Sequence, residues 1–338
     1  MASHFKFAII GCGQIAARHA EQIKNNGQLT AVCDVVKERA DSFSQQHGAK
    51  AYYDIDKLLE QEKEIDIVSV CTPNGLHAVH SIKALKAGKH VLCEKPMAIS
   101  TRDAKEMIEA EKLTGKRLFV VKQNRYNPPV AFAKQLIGEG KLGRILNFQI
   151  NCFWNRPVSY YQSSWKGTLE LDGGTLFTQF SHFIDLLYWL MGDVSNAQGI
   201  RKNFTHKDCI EFEDTGIAWL EMENGAIGTI HYTINSAGKN MEGSFAVFGE
   251  KGTVKIGGQY LNELEYFSVE NLPRPDLPKG KPANQYGFYQ GSMSNHNKVY
   301  EHLIRAINDP THVFINSEET LKTTEIIEKI YNSSPLLP

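Results

Sequence analysis

The stretch FKFAIIGCGQIAARHAEQIKNN, residues 5–26, decides the fold. Its first six residues form a short apolar run that reads as a buried strand. Gly11-Cys12-Gly13-Gln14-Ile15-Ala16 follows at once and opens a helix over AARHAEQIKNN, so a G-x-G-x-x-A turn joins strand to helix. Gly11 permits the tight turn, Gly13 lets a pyrophosphate approach the backbone, and Ala16 packs helix on strand. The helix start, at Gln14 and Ile15, offers free N–H groups to phosphate. Asp34 ends the second strand about 20 residues on, where a carboxylate binds ribose hydroxyls. Its negative charge, followed by Val35 and Val36, favours NAD over NADP.

Outward from this turn the same alternation continues. FKFAII, LTAVC, AYY, IDIVSV, HVLC and LFVV read as strands, and helical patterns lie between them. Parallel strands need such crossovers, so residues 1–125 are expected to form a doubly wound α/β domain of the Rossmann kind. After NRYNPP the texture changes to one helix near 129–138 and then long alternating strands, with turn pairs at Asn224-Gly225 and Gly257-Gly258. Residues 126–338 are therefore expected to form an α+β domain around an antiparallel sheet of six or more strands. Two helices, near 295–308 and 318–332, close the chain. The Pro- and Gly-rich stretch from 271 to 287 reads as a long loop at a site or interface.

Composition narrows the function. A chain of 338 residues exceeds the length, about 250–300 residues, at which a single core stops growing. Its 37 basic and 38 acidic residues leave a formal net charge of −1, which argues against general nucleic-acid binding. No apolar run is long enough to span a bilayer, and no h-region follows Met1. The six cysteines show no CxxC spacing, and Cys12, Cys33, Cys71 and Cys93 stand at or just past strand ends. Small buried hydrophobes explain them best, so a reduced, cytoplasmic protein is expected.

Two further motifs fall at the carboxyl ends of the fourth and fifth strands, where open α/β sheets bind ligands. One is Thr72-Pro73-Asn74 with His77, and the other is Glu94-Lys95-Pro96. A lysine at the end of a buried strand either reaches a cleft or carboxylate or snorkels to the surface. His77 and His80 are three apart, but no Cys or carboxylate completes a metal set, so contact at the cofactor edge or helix surface is expected and no metal.

In DGGTLFTQFSHFIDLLYWLMG, residues 172–192, apolar residues recur at helical spacing from Leu176 to Met191. Thr178, Ser181, His182 and Asp185 share the opposite face, with Gln179 beside them. A solvent-facing helix would carry Lys, Glu or Arg there, so this neutral polar stripe either faces a ligand or is satisfied inside a core.

Together, Gly11-x-Gly13-x-x-Ala16, Thr72-Pro73-Asn74 with His77, Glu94-Lys95-Pro96 and His182-x-x-Asp185 resemble the Gfo/Idh/MocA oxidoreductase family over essentially the whole chain. The resemblance implies a Rossmann domain followed by an open-faced sheet, with substrate between them. It also implies a homodimer or homotetramer built through that sheet. It makes His182 the candidate general base, Asp185 a group that orients the ring or other site groups, and Lys95 the group that holds the reacting hydroxyl and eases its developing negative charge. Many members carry Gly-Gly-Gly-x-x-x-Asp-x-Gly-x-His before this helix. Here Asp172, Gly173 and Gly174 lead to Thr178 and Phe180 instead, which speaks against a free polyol substrate. KQNRYNPP, SSWKGTLELDGGTLFTQFSHFIDLLYWLMGD and SNHNKVYEHLI resemble the bacterial UDP-N-acetylglucosaminuronate 3-dehydrogenases, which prepare nucleotide sugars for surface polysaccharide. Such a ligand needs cations and aromatic faces. Lys122, Arg125, Tyr126, Trp154, Arg156, Tyr160, Tyr161, Trp165 and Lys166 supply them, with Thr178 and Gln179, and with Asn295 and His296 from the last third. Another sugar or polyol, or a non-catalytic dinucleotide sensor, stays as an alternative.

Overall fold

The order of strands in the N-terminal sheet follows from where each crossover helix packs. A computed structural model describes residues 5–162, 165–285, 290–309, 311–312 and 315–338. In chain order its first part runs β1 (Phe5–Ile10), α1 (Ala16–Asn26), β2 (Gly27–Cys33), α2 (Lys37–His47), β3 (Lys50–Tyr52), α3 (Ile55–Gln61), β4 (Ile67–Val70), α4 (His77–Lys86), β5 (His90–Cys93), α5 (Thr101–Thr114) and β6 (Leu118–Val120). All six strands are parallel, in the order β3-β2-β1-β4-β5-β6. Strand order reverses between β1 and β4, which opens a crevice at their carboxyl ends. Helices cover both faces, which is why β4 reads as an unbroken apolar run with Ser69 its one polar residue. Asp54 and Ser100 cap α3 and α5 by accepting backbone N–H groups, which fixes where those helices begin.

The second part contains α6 (Pro128–Gly138), β7 (Ile145–Phe153), α7 (Ser181–Met191), β8 (Val194–Lys202), β9 (Thr215–Met222), β10 (Ile227–Thr233), β11 (Glu242–Gly249), β12 (Gly252–Gly257), β13 (Glu263–Val269), β14 (Ala283–Gln285) and β15 (Gln290–Met293). Two helices, α8 (His296–Asn308) and α9 (Ser317–Ser333), precede the two-residue β16 (Leu336–Leu337). The large sheet has eight strands in the order β13-β12-β11-β7-β10-β9-β8-β16. It is mainly antiparallel; β7 with β10, and β8 with β16, run parallel. One face packs on the core through Phe148, Ile150, Ile230, Tyr232 and Phe245. The other leaves Ile200, Ile217, Trp219, Ile227 and Phe248 exposed. Of the long loop expected at 271–287, residues 273–282 lack regular structure and Ala283–Gln285 is a short strand, while 286 and 287 lie outside the described residues.

By packing, the chain forms two units, one of residues 1–121 with His296–Thr324 and one of Lys122–Asn295 with Glu325–Pro338. The sequence reading drew a single division at 125. The chain instead crosses three times, because α8 returns to lie on α1. All six cysteines are free thiols, five of them buried. Among the described residues no helix is long and apolar enough to cross a membrane.

The helix expected over 172–192 forms in two parts. Leu176–Phe180 is a π-helical turn, and the regular α-helix begins only at Ser181. The wider turn interrupts the α-helical spacing from which a single polar stripe is expected, and the Thr178 hydroxyl donates to the carbonyl of Asp172 at 3.0 Å. Every residue of α7 from Ser181 to Leu187 is buried, so its polar side chains face the protein interior.

Candidate active site

In the first unit the glycine turn meets the demands of a dinucleotide. Gly11 has φ +91°, and a Cβ there would lie 2.6 Å from the Cys71 carbonyl oxygen. Gly13 has nothing within 4 Å of the same position, which leaves its outer side open to a phosphate. Gln14 is exposed and Ile15 half-buried in the turn ahead of α1, whose first N–H groups have no side-chain cap. Asp34 braces the turn, since one carboxylate oxygen accepts from Cys12 N at 2.8 Å and the other from Val36 N at 2.9 Å. These residues fit NAD.

The loops after β4 and β5 are stapled by His77, which is 1% exposed. Its Nδ1 lies 2.6 Å from the Pro96 carbonyl oxygen and its Nε2 2.9 Å from that of Thr72. Burial pushes its pKa down, against the two carbonyls, which favour the protonated ring. His80 contacts the Thr72 hydroxyl at 3.0 Å and is held neutral, its pKa pushed down to about 4 by burial and then by His77 and Lys83. Asn74 is buried, and Pro73 stands at the start of the short turn Asn74–Leu76 that follows the strand. Lys95, between Glu94 and Pro96, is half-buried.

Glu94 itself lies in a group that linear spacing does not reveal. His19 Nε2 is 2.9 Å from Glu94 Oε1, and His296 Nε2 is 3.3 Å from the same atom. Burial acts to raise the Glu94 pKa, but the two imidazoles outweigh it and hold the carboxyl well below the usual range. His296 was read as a substrate contact, and the structure places it here within the first unit. No local pattern in the sequence marks His19 or Tyr300, because their partners are 75 and 281 positions away.

In the second unit, Asp185 is 3% exposed and receives three charge-assisted bonds. Arg125 donates through Nε at 2.8 Å and Nη2 at 2.7 Å, and Lys122 Nζ lies 3.0 Å away. Burial alone would raise this carboxyl; Arg125 and then Lys122 reverse the sign and hold it well below its ordinary range. The Arg125 guanidinium also lies over the Trp189 ring at 5.0 Å. Arg125, read as a ligand cation, is thus bound to Asp185.

His182, one turn earlier on α7, has Nε2 at 3.4 Å from both Gln123 Nε2 and Ser292 Oγ. Gln123 Nε2 donates to Ser292 Oγ at 3.0 Å, which frees the serine hydroxyl to donate toward the ring. Asn295 donates to Gln123 O and Asn127 Oδ1 and so fixes the turn Gln123–Tyr126 that carries these groups. Tyr126 on that turn is half-buried.

A second cluster centres on Arg156, whose Nε donates to Gln179 Oε1 at 2.7 Å and whose Nη1 donates to Asn240 Oδ1 at 3.2 Å. Gln179 in turn donates to the Tyr160 hydroxyl at 3.1 Å, and Lys166 Nζ sits 3.6 Å from the centre of the Tyr160 ring. Tyr160 stacks edge-on against Tyr161. The structure thus joins Arg156, Tyr160, Lys166 and Gln179, while Trp165 is half-buried in the next turn and accepts from Thr168 through its carbonyl.

Comparison with known proteins gives these features a context. A model described as "Oxidoreductase family, NAD-binding Rossmann fold" matches residues 5–122, and one for the GFO/IDH/MocA C-terminal domain matches residues 130–255. The WlbA dehydrogenase from Bordetella pertussis, solved with NADH and UDP-GlcNAcA, is 33% identical, with a TM-score of 0.87, over 98% of this chain and 96% of that one. The D-glucoside 3-dehydrogenase of Escherichia coli is 30% identical over 68% of this chain and 67% of its own length. The glucose-6-phosphate 3-dehydrogenase of Bacillus subtilis is 26% identical over 98% of each.

Two predictions follow from this geometry. Gly13→Val should unfold within a few degrees of the wild type yet lose NAD binding, whereas Gly11→Ala should lower stability by about 1–3 kcal/mol through strain and clash. Thermal unfolding with and without NAD separates the two. Asp185→Asn should cost about 3–5 kcal/mol, because it strands two buried cations. As the folded pKa of Asp185 is depressed, its stabilisation is present above the unfolded value of about 3.9 and lost as pH falls below it. Denaturant midpoints between pH 3 and pH 7, roughly spanning that value, should therefore fall less steeply with acid in the variant.

Proposed function

Given that the chain belongs to the Gfo/Idh/MocA oxidoreductases and is an NAD-dependent sugar dehydrogenase, we propose that it oxidises the C3 hydroxyl of UDP-N-acetylglucosaminuronate to the 3-keto sugar. The observation that carries this reading is the full-length likeness, at 33% identity, to WlbA dehydrogenases solved with NADH and UDP-GlcNAcA. The choice of carbon is supported by two relatives named as 3-dehydrogenases, of a glucoside and of glucose 6-phosphate.

Bound NAD supplies the hydride acceptor. His182, its ring steadied by Gln123 and Ser292, takes the hydroxyl proton. Lys95 holds the hydroxyl and lowers the cost of the alkoxide character that builds as hydride leaves. Asp185 acts on the fold of the site by fixing Lys122 and Arg125. The Arg156, Lys166 and Tyr160 cluster has the cationic and aromatic character that a diphosphate, a carboxylate and a uracil ring require. Thr178, Trp165, Tyr126 and Asn295 complete the candidate substrate contacts, and Gly11, Gly13, Gln14, Ile15, Asp34, Thr72, Pro73, Asn74, His77 and Glu94 frame the dinucleotide. The protein assembles as a homodimer or homotetramer through the exposed sheet face, where Ile217 on β9 stands opposite Ile200 on β8 and Trp219 on β9 stands opposite Thr229 on β10. It works in the cytoplasm.

A single-turnover experiment tests the substrate. Enzyme in excess, mixed with NAD and UDP-N-acetylglucosaminuronate, should give reduced nicotinamide and a sugar lighter by two hydrogens, read by absorbance and mass. Turnover of glucose 6-phosphate or a glucoside with silence on the nucleotide sugar would replace this substrate with that of the other relatives. Lys95→Met and His182→Asn should each lower the rate by roughly 10²–10⁴-fold, and full activity in either would remove its role. Trp219→Glu should shift the mass in solution to the monomer, measured by light scattering; an unchanged oligomer would place the interface elsewhere.

A further inference from the structure

Ser69, Tyr300, His19, Glu94 and His296 form one buried chain of polar groups in the first unit, each at most 5% exposed. Ser69 Oγ and the Tyr300 hydroxyl are 3.1 Å apart, and the Tyr300 hydroxyl and His19 Nδ1 are 2.9 Å apart. His19 Nε2 and His296 Nε2 both meet Glu94 Oε1, while Glu94 Oε2 accepts the backbone N–H of Lys95 at 3.1 Å. An ionised carboxylate only accepts, and this fixes the direction of every bond. Ser69 donates to Tyr300, Tyr300 to His19, His19 and His296 to one carboxylate oxygen, and Lys95 N–H to the other. One buried charge is met by three donors, from α1, from α8 and from the lysine that follows it.

Two imidazoles and a carboxylate whose ligand atoms lie within 4.8 Å also form a donor set for a divalent metal. The hydrogen-bonded arrangement and a ligating one need opposite tautomers. Ligation would need both Nε2 atoms bare and both Nδ1 atoms protonated. Tyr300 could accept from His19, but His296 Nδ1 is buried and, among the described residues, has no hydrogen-bond partner. That atom stays unsatisfied in either tautomer, and the Nε2 to Glu94 Oε1 distances of 2.9 and 3.3 Å are those of the hydrogen bonds drawn above.

We propose that His19, Glu94 and His296 are positioning residues for Lys95. They fix the carboxylate that holds the Lys95 main chain, and so set where its ammonium meets the reacting hydroxyl. The inference rests on the reading of Lys95 given above. His77, bonded to the Pro96 carbonyl, anchors the chain on the other side of the lysine. Because α8 supplies His296 and Tyr300, the geometry of the Glu94-Lys95-Pro96 turn depends on a helix some 200 positions later, as the separation of 202 between Glu94 and His296 records.

The test is steady-state kinetics of His296→Leu, His296→Gln and Tyr300→Phe beside Lys95→Met, with the sugar that the single-turnover experiment identifies. His296→Leu should lower kcat about tenfold or more, with KM for NAD and sugar within about threefold, since misplacing a reacting group costs rate rather than binding. His296→Gln, which restores an N–H donor, should recover most of that loss. Tyr300→Phe, nearly isosteric, should keep the fold and lose a few-fold in kcat. Wild-type kcat in folded His296→Leu and Tyr300→Phe, with Lys95→Met inactive, overturns this inference and spares the reading of Lys95. Full activity in Lys95→Met overturns both. Equimolar metal in the wild type by elemental analysis, absent from His296→Leu, would make the cluster a metal centre and overturn the positioning role.

Discussion

The second unit is organised by one electrostatic constraint: a carboxylate in a dry interior must be met by cations or give up its charge. Asp185 is met by Arg125 and Lys122, all three nearly inaccessible. That requirement places the turn Gln123–Tyr126 against α7, and it brings Gln123 within reach of His182. The imidazole's surroundings are thus a by-product of a pairing one turn further along the helix. A buried ion pair of this kind adds little net stability over an apolar substitute, but losing one partner is severe. Its value here is geometric, since it allows one arrangement of turn and helix and penalises the others.

Much of the fold was legible because period and burial speak the same language. Strands covered on both faces read as apolar runs, and the half-exposed strands of the large sheet alternate, so FKFAII and TGIAWLEM announce themselves in different ways. The glycine turn was legible because its residues stand together in one short motif, although the close approach of Cys71 to Gly11 comes from the fold. The π-helical turn at Leu176–Phe180 was not, since the residues that suit a π turn suit an α-helix equally, and tertiary packing decides between them.

The candidate site divides along the same line. Lys95, Asp34 and His182 stand in short motifs and could be singled out. What each touches could not. Arg125 looked like a hand held out to an anionic ligand because its partner lies 60 positions away. His296, expected at the substrate, meets Glu94 across 202 positions. Charge and residue type reveal that a group needs a partner, whereas identifying that partner requires the fold.

The bond between His19 and Tyr300 spans 281 positions, and it sets a timetable for biosynthesis. At about 5–20 residues per second, the ribosome delivers α1 many seconds before α8. Until then β1, β4 and their helices can assemble, but the face of α1 that carries His19 is open to water and to other chains. The N-terminal unit therefore reaches its final form only near the end of translation, although most of its sequence, residues 1–121, is made first. A nascent chain stalled between the two helices would present a nearly complete nucleotide fold with an uncovered seam, the kind of surface on which holding chaperones act.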